Sequence, residues 1–534
     1  MAASGKIRQG DKTGTAKPAV SEEIELKFTL PPARLKQLAE HGLPDIKAAA
    51  PRAVKLISRY YDTPDRLLWQ NGIALRVRNK GDQWLQHLKW RGSDKGFAGG
   101  SRRQEWEWSL NDAEPRPEIL DLAFGDSITL PLEWHRSLEP VFETDITRHI
   151  QNIDLNGTLI EIAYDHGVLR AGAAEQVLAE VELELKKGDE NTLYRLAEIL
   201  VTASGARLAG GSKAEQGYRL ADGRYPVVQK AKPAQLSPTD SAATALARQA
   251  GKTLGDLLAN QFVVFADSSP EGVHQMRVSL RRLDAITRPL RAQLEASPCG
   301  TLLTELKWLR GKLGSLRNWD VFLSETLPDL RHCHMDDEDN IADYLQPAAD
   351  ACRREARARL ISALNDQRYA DLLLRLTQLA TGQTRLPNTM QQEFRAIGSR
   401  WLIEQLDRMD RRGQRLHSLK PRRQHRFRLK VKKTRYVADI VSELTGTSHL
   451  KTATKAMAKL QDKLGQQNDM FTAIDLLGRL SEHASLRGNQ DAETALGEQQ
   501  AIWRTALEHA DPKLTKRWQK VRRKADDWII DPSH

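Results

Sequence analysis

Cysteine is scarce in this chain: 3 of 534 residues, Cys299, Cys333 and Cys352, and none forms a Cys-x-x-Cys pair. That speaks against a disulfide framework or a thiolate zinc site and fits a reducing compartment. Long apolar runs are missing too. No segment approaches the ~18 residues that would span a bilayer. Residues 1–20 are polar and lack the apolar stretch of a secretion signal. No glycine-rich phosphate loop of Walker type occurs. What remains is a chain expected in the cytoplasm and off the membrane, with 40% hydrophobic and 28% charged residues. Its length suggests roughly two to four domains and leaves ample chain for sizeable cores.

The net charge is +11, and its placement matters more than its size. Residues 1–234 hold 33 Lys+Arg and 33 Asp+Glu, whereas residues 235–534 hold 48 and 37. The whole excess lies in the C-terminal part, which points to a polyanionic partner there. The pattern changes at the same place. Before about residue 225, short segments alternate with period two: EIELKF, IALRVR, WLQHLKW, RQEWEW, LIEIAYD and AEVELELK. Turn signals such as Asn71-Gly72, Gly81-Asp82 and Asn156-Gly157 lie between or beside them, as in an antiparallel barrel or sandwich. Pro31 to Glu40 and Asn191 to Ala203 read as helices. After a proline-containing linker over residues 224–240, the pattern is helical almost throughout.

In the first part, charge gathers on single strand faces. Glu23, Glu25 and Lys27 share one face of EIELKF, and Glu180, Glu182 and Glu184 share one face of AEVELELK. Arg76 pairs in parity with Arg78, His87 with Lys89, and Arg103 with Glu105 and Glu107. A solvated face rarely sets three glutamates in succession with no base between them, because they repel. If the charged faces turn inward, the sheet becomes a wet tunnel with acids opposite bases, and its apolar outside needs covering by helices. Clustered carboxylates suit hard cations such as Mg²⁺ or Mn²⁺. Rows of Arg and Lys grip phosphate oxygens.

These motifs, in order, resemble the CYTH family of triphosphate tunnel metalloenzymes: Glu23-Ile24-Glu25-Leu26-Lys27, then YYDT (Tyr60–Thr63), LRVR (Leu75–Arg78), HLK (His87–Lys89), RQE (Arg103–Glu105), TDITR (Thr144–Arg148), IEIAYDHG (Ile160–Gly167), AEVELEL and SKAEQGY (Ser212–Tyr218). The resemblance implies a multidomain α+β chain whose N-terminal domain, residues 21–223, is an eight-stranded antiparallel β-tunnel with covering helices. It implies hydrolysis or cyclisation of triphosphates with Mg²⁺ or Mn²⁺. It assigns Glu23, Glu25, Asp165, Glu180, Glu182 and Glu184 to the metal, and Lys27, Arg76, Arg78, Lys89, Arg103, Arg148 and Lys213 to the triphosphate. Glu105 and Glu161 stand beside the metal ligands, and Arg59 is left out because the local match is loose.

The C-terminal part repeats. VHQMRVSLRRL from Val273 and QHRFRLKVKKT from Gln424 align at an offset of 151, as do LRGKLG (Leu309–Gly314) and LQDKLG (Leu460–Gly465). One offset across two motifs marks a duplicated helical unit. His274, Arg277 and Arg281 form a helix stripe, broadened by Arg282; the second copy offers His425, Arg428, Lys432, Lys433 and Arg435. These features resemble the CHAD family of conserved-histidine helical modules. The resemblance implies, over residues 241–534, an all-α domain of two pseudo-symmetric bundles (about 241–387 and 388–534). It implies binding of inorganic polyphosphate by the nine residues just named, with Arg310 and Arg317 as secondary candidates and polyphosphate granules as a location. Few aromatics accompany the basic runs, so nucleic acid is disfavoured as the polyanion. His332-Cys333-His334 and the acids from Asp336 to Asp339 are weighed as a metal site and set aside as a polar loop. The reading is thus a triphosphatase acting on tripolyphosphate. Thiamine or nucleoside triphosphates, ATP cyclisation and a non-catalytic granule protein are the alternatives.

Overall fold

The computed structural model describes residues 21–22, 24–44, 46, 48–90, 104–117, 130–131, 133–223, 226–333, 341–483, 490–508 and 511–530. Glu23, Arg103 and the acids following His334 lie outside them. The alternating segments form β1 (Ser21–Glu22), β2 (Ile24–Thr29), β3 (Arg52–Asp62), β4 (Ile73–Lys80), β5 (Gln83–Trp90), β6 (Gln104–Leu110), β7 (Glu139–Leu155), β8 (Thr158–Ala171), β9 (Ala174–Lys187) and β10 (Arg207–Leu208). Their order in the sheet is β1-β6-β5-β4-β3-β7-β8-β9-β2-β10, antiparallel throughout. β1 and β2 are separated by a single residue, yet β1 pairs with β6 and β2 with β9. That one stretch of chain joins the two ends of the sheet and closes it. Counting β1 and β2 together, and leaving aside the two-residue β10, the barrel has eight strands among the described residues.

Closure settles which face is wet. The apolar parity of β2, β8 and β9 (Leu26, Phe28, Ile160, Ile162, Val181, Leu183) points outward and is fully buried against helices Pro32–His41 and Glu190–Ser204 through Leu35, Leu38, Leu193, Leu196 and Leu200. Burying each such side chain contributes roughly 1.5–3 kcal/mol. The hairpin between β7 and β8 is made by Asn156 and Gly157, both at positive φ (55° and 85°), as a tight type I′ turn requires.

One end of the barrel is filled by the helix Lys213–Ala221, and its sequence explains why. Ser212 caps it, accepting from the Glu215 N–H while the Glu215 carboxylate accepts from the Ser212 N–H. Ala214 and Tyr218 pack on Tyr60, Phe142, Ile146 and Leu169. Gly217 lies so close to the sheet that a Cβ there would stand 2.1 Å from Phe142 Cε2. The Tyr218 hydroxyl donates to buried Asp62 at 2.8 Å, and Asp62 also accepts from the N–H groups of Thr63, Leu68 and Trp69. The tyrosine-rich motif of β3 and the SKAEQGY motif are therefore two halves of one joint.

From Ala242 onward, among the described residues, the regular structure is helical apart from an isolated bridge between Ser241 and Glu393. The 151-residue offset survives in the packing. Met276 and Phe427, Leu280 and Val431, Leu309 and Leu460, and Leu313 and Leu464 are all buried, the first of each pair in the first bundle's core and the second in the other's. The first bundle's core is continuous with that of the barrel's covering helices. Polar contacts across that junction include Tyr194 with Thr381 at 3.1 Å and Gln383 to Glu190 at 2.7 Å.

Gly217→Ala tests the plugging joint. Helix propensity alone favours Ala by up to about 1 kcal/mol, but overpacking against Phe142 costs about 1–3 kcal/mol. Chemical denaturation should show net destabilisation, relieved when Phe142→Leu is added.

Candidate functional site

The barrel encloses a cavity of about 410 Å³ whose wall is largely ionic. Arg76, Arg78 and Lys80 of β4 and His87 and Lys89 of β5 form one side. Glu25 and Lys27 of β2, Glu161 of β8, and Glu182, Glu184 and Lys186 of β9 form the other. Tyr60 of β3, Ala74 of β4, Glu105, Trp106 and Glu107 of β6, Arg148 of β7, and Ser212, Lys213 and Ala214 at the start of the plugging helix complete it.

The acids fall into two groups. In the deep group, Lys213 (6% exposed) lies 2.8 Å from Asp165 Oδ2, 2.8 Å from Glu180 Oε2 and 2.7 Å from Glu182 Oε1. Arg148 donates to both oxygens of Asp165, at 2.7 and 2.6 Å, and to Glu182 Oε2 at 2.5 Å. Lys27 joins Glu25 at 2.8 Å and Glu182 at 2.9 Å. Burial alone would drive all these groups toward neutrality. The opposing charges win: Asp165 and Glu182 are held below the usual carboxylate range by Lys213 and Arg148, with Lys27 also acting on Glu182. Lys213 is held well above its ordinary value against the same burial. Removing one partner of so dense a cluster would leave uncompensated buried charge, worth about 3–5 kcal/mol.

The second group is richer in acid. Glu25 stands opposite Glu184 between β2 and β9, and Glu184 stands opposite Glu161 between β9 and β8. Lys186 meets Glu184 at 2.6 Å and Glu161 at 3.8 Å. Glu184 is pushed up, first by burial and then by the charges of Glu161 and Glu25. The buried Oε1 of Glu25 has the Lys27 ammonium nearby but no hydrogen-bond donor in line with it. Repelling carboxylates on three neighbouring strands are the donor set a hard divalent cation relieves. Among the described residues no three acids are drawn together tightly enough to ligate an ion as they stand.

The basic wall has the reverse imbalance. Arg76 reaches the Tyr60 hydroxyl at 3.3 Å, and Arg78 reaches Ser58 Oγ at 3.1 Å, both neutral partners. Lys89 is paired with Glu105. Burial, then Arg76 and Arg148, pushes the Arg78 guanidinium downward. Burial, then the charges of Arg76, Arg78, Lys89 and Lys80, push His87 far below its ordinary value, so its imidazole is neutral near pH 7. This wall has room for added negative charge.

A second cavity, about 340 Å³, lies where the two helical bundles meet. His274, Arg277, Arg281 and Arg317 enter from the first bundle, Arg428 and Lys432 from the second, and among the described residues no carboxylate lines it. Glycines make the approach possible: a Cβ on Gly314 would meet Arg277 Nη1 at 2.6 Å, and Gly465, 151 residues later, lies under Arg428. Tyr436 is flanked by the guanidiniums of Arg281 and Arg435, 4.7 and 4.8 Å from its ring centre. Burial and neighbouring Arg281, Arg428 and Arg277 lower Lys432 to about 8.

Residues 21–218 match the CYTH domain family, and residues 248–478 match the CHAD domain family. The chain carries both domains. An inorganic triphosphatase of Haemophilus influenzae is 29% identical over 204 residues, which are 38% of this chain and 56% of that protein, so the match spans little more than half its length. An uncharacterized Mycobacterium tuberculosis protein is 26% identical over 418 residues, 71% of this chain and 75% of its own. The crystal structure of a CHAD domain from Ricinus communis aligns with 55% of this chain and 96% of its own at 23% identity, with a TM-score of 0.44.

Within the CYTH domain, the structure brings Glu25, Lys27, Arg76, Arg78, Lys89, Arg148, Glu182, Glu184 and Lys213 to one cavity. Asp165 and Glu180 lie just behind it on Lys213. Glu23 and Arg103 fall outside the described residues. Arg59 faces outward and binds Glu143 at 2.9 Å. Sequence reasoning missed Lys80 and Lys186, each one step further along a parity already noticed, and Tyr60, whose preceding neighbours of like parity, Leu56 and Ser58, carry no charge to mark it.

Within the CHAD domain, His274, Arg277, Arg281, Arg428 and Lys432 share the cavity with Arg317. Others of the nine are turned aside. Arg282 faces Asp256, Lys433 faces Arg288 and Asp284, Arg435 bonds Gln461 at 3.0 Å, and His425 stands edge-on to Phe471. Arg310 is paired with Asp284 at 2.6 Å.

Lys432 gives the CHAD cavity a pH signature. Its lowered value means that its charge disfavours the ligand-free fold below about pH 8, a cost that fades as pH rises toward 10.5. A bound polyanion favours the charged form, so binding at pH 8 takes up protons and weakens as pH rises further. Calorimetry in two buffers of different ionisation heat should show that uptake in the parent chain and its loss in Lys432→Arg.

Proposed function

We propose that the CYTH domain is a metal-dependent inorganic triphosphatase that hydrolyses tripolyphosphate to pyrophosphate and phosphate, and that the CHAD domain binds inorganic polyphosphate. The observation that carries the first part is the composition of the tunnel wall. Tyr60, Ala74, Trp106 and Ala214 are its main non-ionic surfaces, against fourteen charged side chains and a histidine. Such a wall suits a bare phosphate chain better than one that carries a base or a thiazolium ring. Arg76, Arg78, Lys80 and Lys89 bind the phosphate oxygens from one side, the guanidiniums in the fork geometry that matches phosphate.

Glu25, Glu161 and Glu184 fit Mg²⁺ or Mn²⁺ for the reasons of charge given above, with Glu182 and Glu23 adjacent in parity. A bound metal supplies neutralisation of phosphate charge and a water of lowered pKa. Asp165 and Glu180, first grouped with the metal ligands, serve instead to hold Lys213 and Arg148 in place. Neutral His87 contributes a hydrogen bond without adding to the positive wall.

The reading of the CHAD domain rests on a cavity that no carboxylate lines among the described residues. A phosphate chain needs cations and hydrogen-bond donors only, and the cavity offers those from both bundles. A cytoplasmic location in association with polyphosphate granules is part of this proposal.

Three experiments test it. Given tripolyphosphate, thiamine triphosphate, ATP and GTP in turn with Mg²⁺ or Mn²⁺, the chain should release phosphate fastest from tripolyphosphate; preference for an organic triphosphate would overturn the substrate assignment. Glu25→Gln with Glu184→Gln should lower turnover at least about a hundredfold, the scale of losing a catalytic electrostatic group, while long-chain polyphosphate is still retained. Conversely, neutralising Arg277, Arg281, Arg428 and Lys432 together should weaken polyphosphate retention and spare tripolyphosphate turnover. Equal loss of both activities in either variant would sink the division of labour.

A further inference from the structure

The segment that delivers Lys213 to the tunnel is held from outside by the CHAD domain. Three residues before Lys213, Gly210 lies against the helix Ala242–Ala266, where a Cβ at 210 would stand 2.7 Å from Leu258 Cβ. Near the other end of the plugging helix, the Arg219 guanidinium lies over the Phe262 ring, 5.3 Å from its centre. Leu258 and Phe262 are four residues apart and so share one helix face. Between the two contacts opens a cleft of about 670 Å³, lined in part by Glu180, Gln216, Arg219 and Phe262. The chain is thus touched just ahead of the plugging helix and near that helix's C-terminal end, with a void between the two contacts.

The inner side is where small displacements matter. Gln216 Nε2 donates to Glu180 Oε1 at 2.6 Å, and Lys213 meets Glu180 Oε2 at 2.8 Å. Both residues belong to the same helix, so its height fixes both contacts on one carboxylate. Lys213 in turn shares Glu182 with Lys27 and Arg148. A tilt of the helix is therefore felt at the tunnel's acid row.

We propose that Leu258 and Phe262 of the CHAD domain are positioning residues for the CYTH tunnel, setting the height and tilt of the helix that carries Lys213. The helical domain then conditions turnover at a site it does not line. This rests on the triphosphatase reading and adds a dependence of that activity on the domain junction. Arg219 supports it from the CYTH side: burial lowers its pKa, with Glu215 opposing, so the Phe262 face is a partner whose loss leaves the guanidinium poorly compensated.

The test uses the full chain with Phe262→Ala, Phe262→Tyr and Gly210→Ala, assayed below the unfolding transition of each. Displacements of about 1 Å cost up to a hundredfold in rate. Phe262→Ala should lower kcat for tripolyphosphate about tenfold, with a smaller change in KM and unchanged polyphosphate retention. Phe262→Tyr, which keeps the ring, should restore kcat. Gly210→Ala, which pushes on Leu258 from the other side, should lower kcat likewise and keeps the test alive if Phe262→Ala does not fold. Parent-like kcat in both folded variants would overturn the proposal. If the parent chain itself fails to hydrolyse tripolyphosphate, the triphosphatase reading has failed. The junction is then judged on calorimetric tripolyphosphate affinity, where equal Kd for parent and Phe262→Ala refutes it.

Discussion

The Lys213 ammonium touches Asp165, Glu180 and Glu182 at once, and much of the CYTH domain is arranged around that contact. A closed barrel with charged faces inward is costly unless the interior charges are matched, because each carboxylate or ammonium leaves water on entering. Arg148 and Lys27 match part of the acid, and Lys213 matches the rest. It arrives on a separate helix, so the match depends on a cap at Ser212, a glycine at 217, and the Tyr218–Asp62 bond that fixes the helix to the first motif of β3. Structure and chemistry share the same residues here.

What the deep cluster leaves unmatched is equally informative. Glu25, Glu161 and Glu184 face one another across three strands with two ammoniums, Lys27 and Lys186, beside them, while Arg76 and Arg78 face neutral oxygens. An excess of acid opposite an excess of base, in one cavity, fits a cation and a phosphate chain taken up together. Among the described residues, the CHAD cavity holds the second half of that pattern, cations without acids. The two cavities therefore differ in kind: one sets an excess of acid opposite an excess of base, which on the proposed reading suits a metal and a phosphate chain, and the other offers bases, which suits a phosphate chain alone.

Much of this was legible in the sequence, for reasons of parity and period. Side chains two apart on a strand share a face, so Glu180, Glu182 and Glu184 announced an inward acidic row and Arg76 and Arg78 a basic one. The 151-residue offset announced two equivalent bundles, and Gly314 and Gly465 now explain why glycine closes both repeated motifs: each lies under the arginine of its own copy. Sorting the acids was not legible, because whether Glu180 meets an ammonium or another carboxylate depends on the register of β9 against β8 and on a helix from residue 213. Tyr60 was hidden because its inward neighbours Leu56 and Ser58 carry no charge. Arg282, Lys433 and Arg435 look like pocket residues on a helical wheel, yet local acids and amides turn them aside. The contact of Gly210 with Leu258 joins residues from different domains, and nothing local in either segment signals it.

The central claim is that one chain carries two phosphate sites of different kinds, one needing a metal and one not. Adding a chelator to a single sample while following phosphate release from tripolyphosphate and retention of long-chain polyphosphate separates them. The account predicts that release stops and retention is unchanged. Parallel loss of both, or release that persists once the metal is removed, would contradict it.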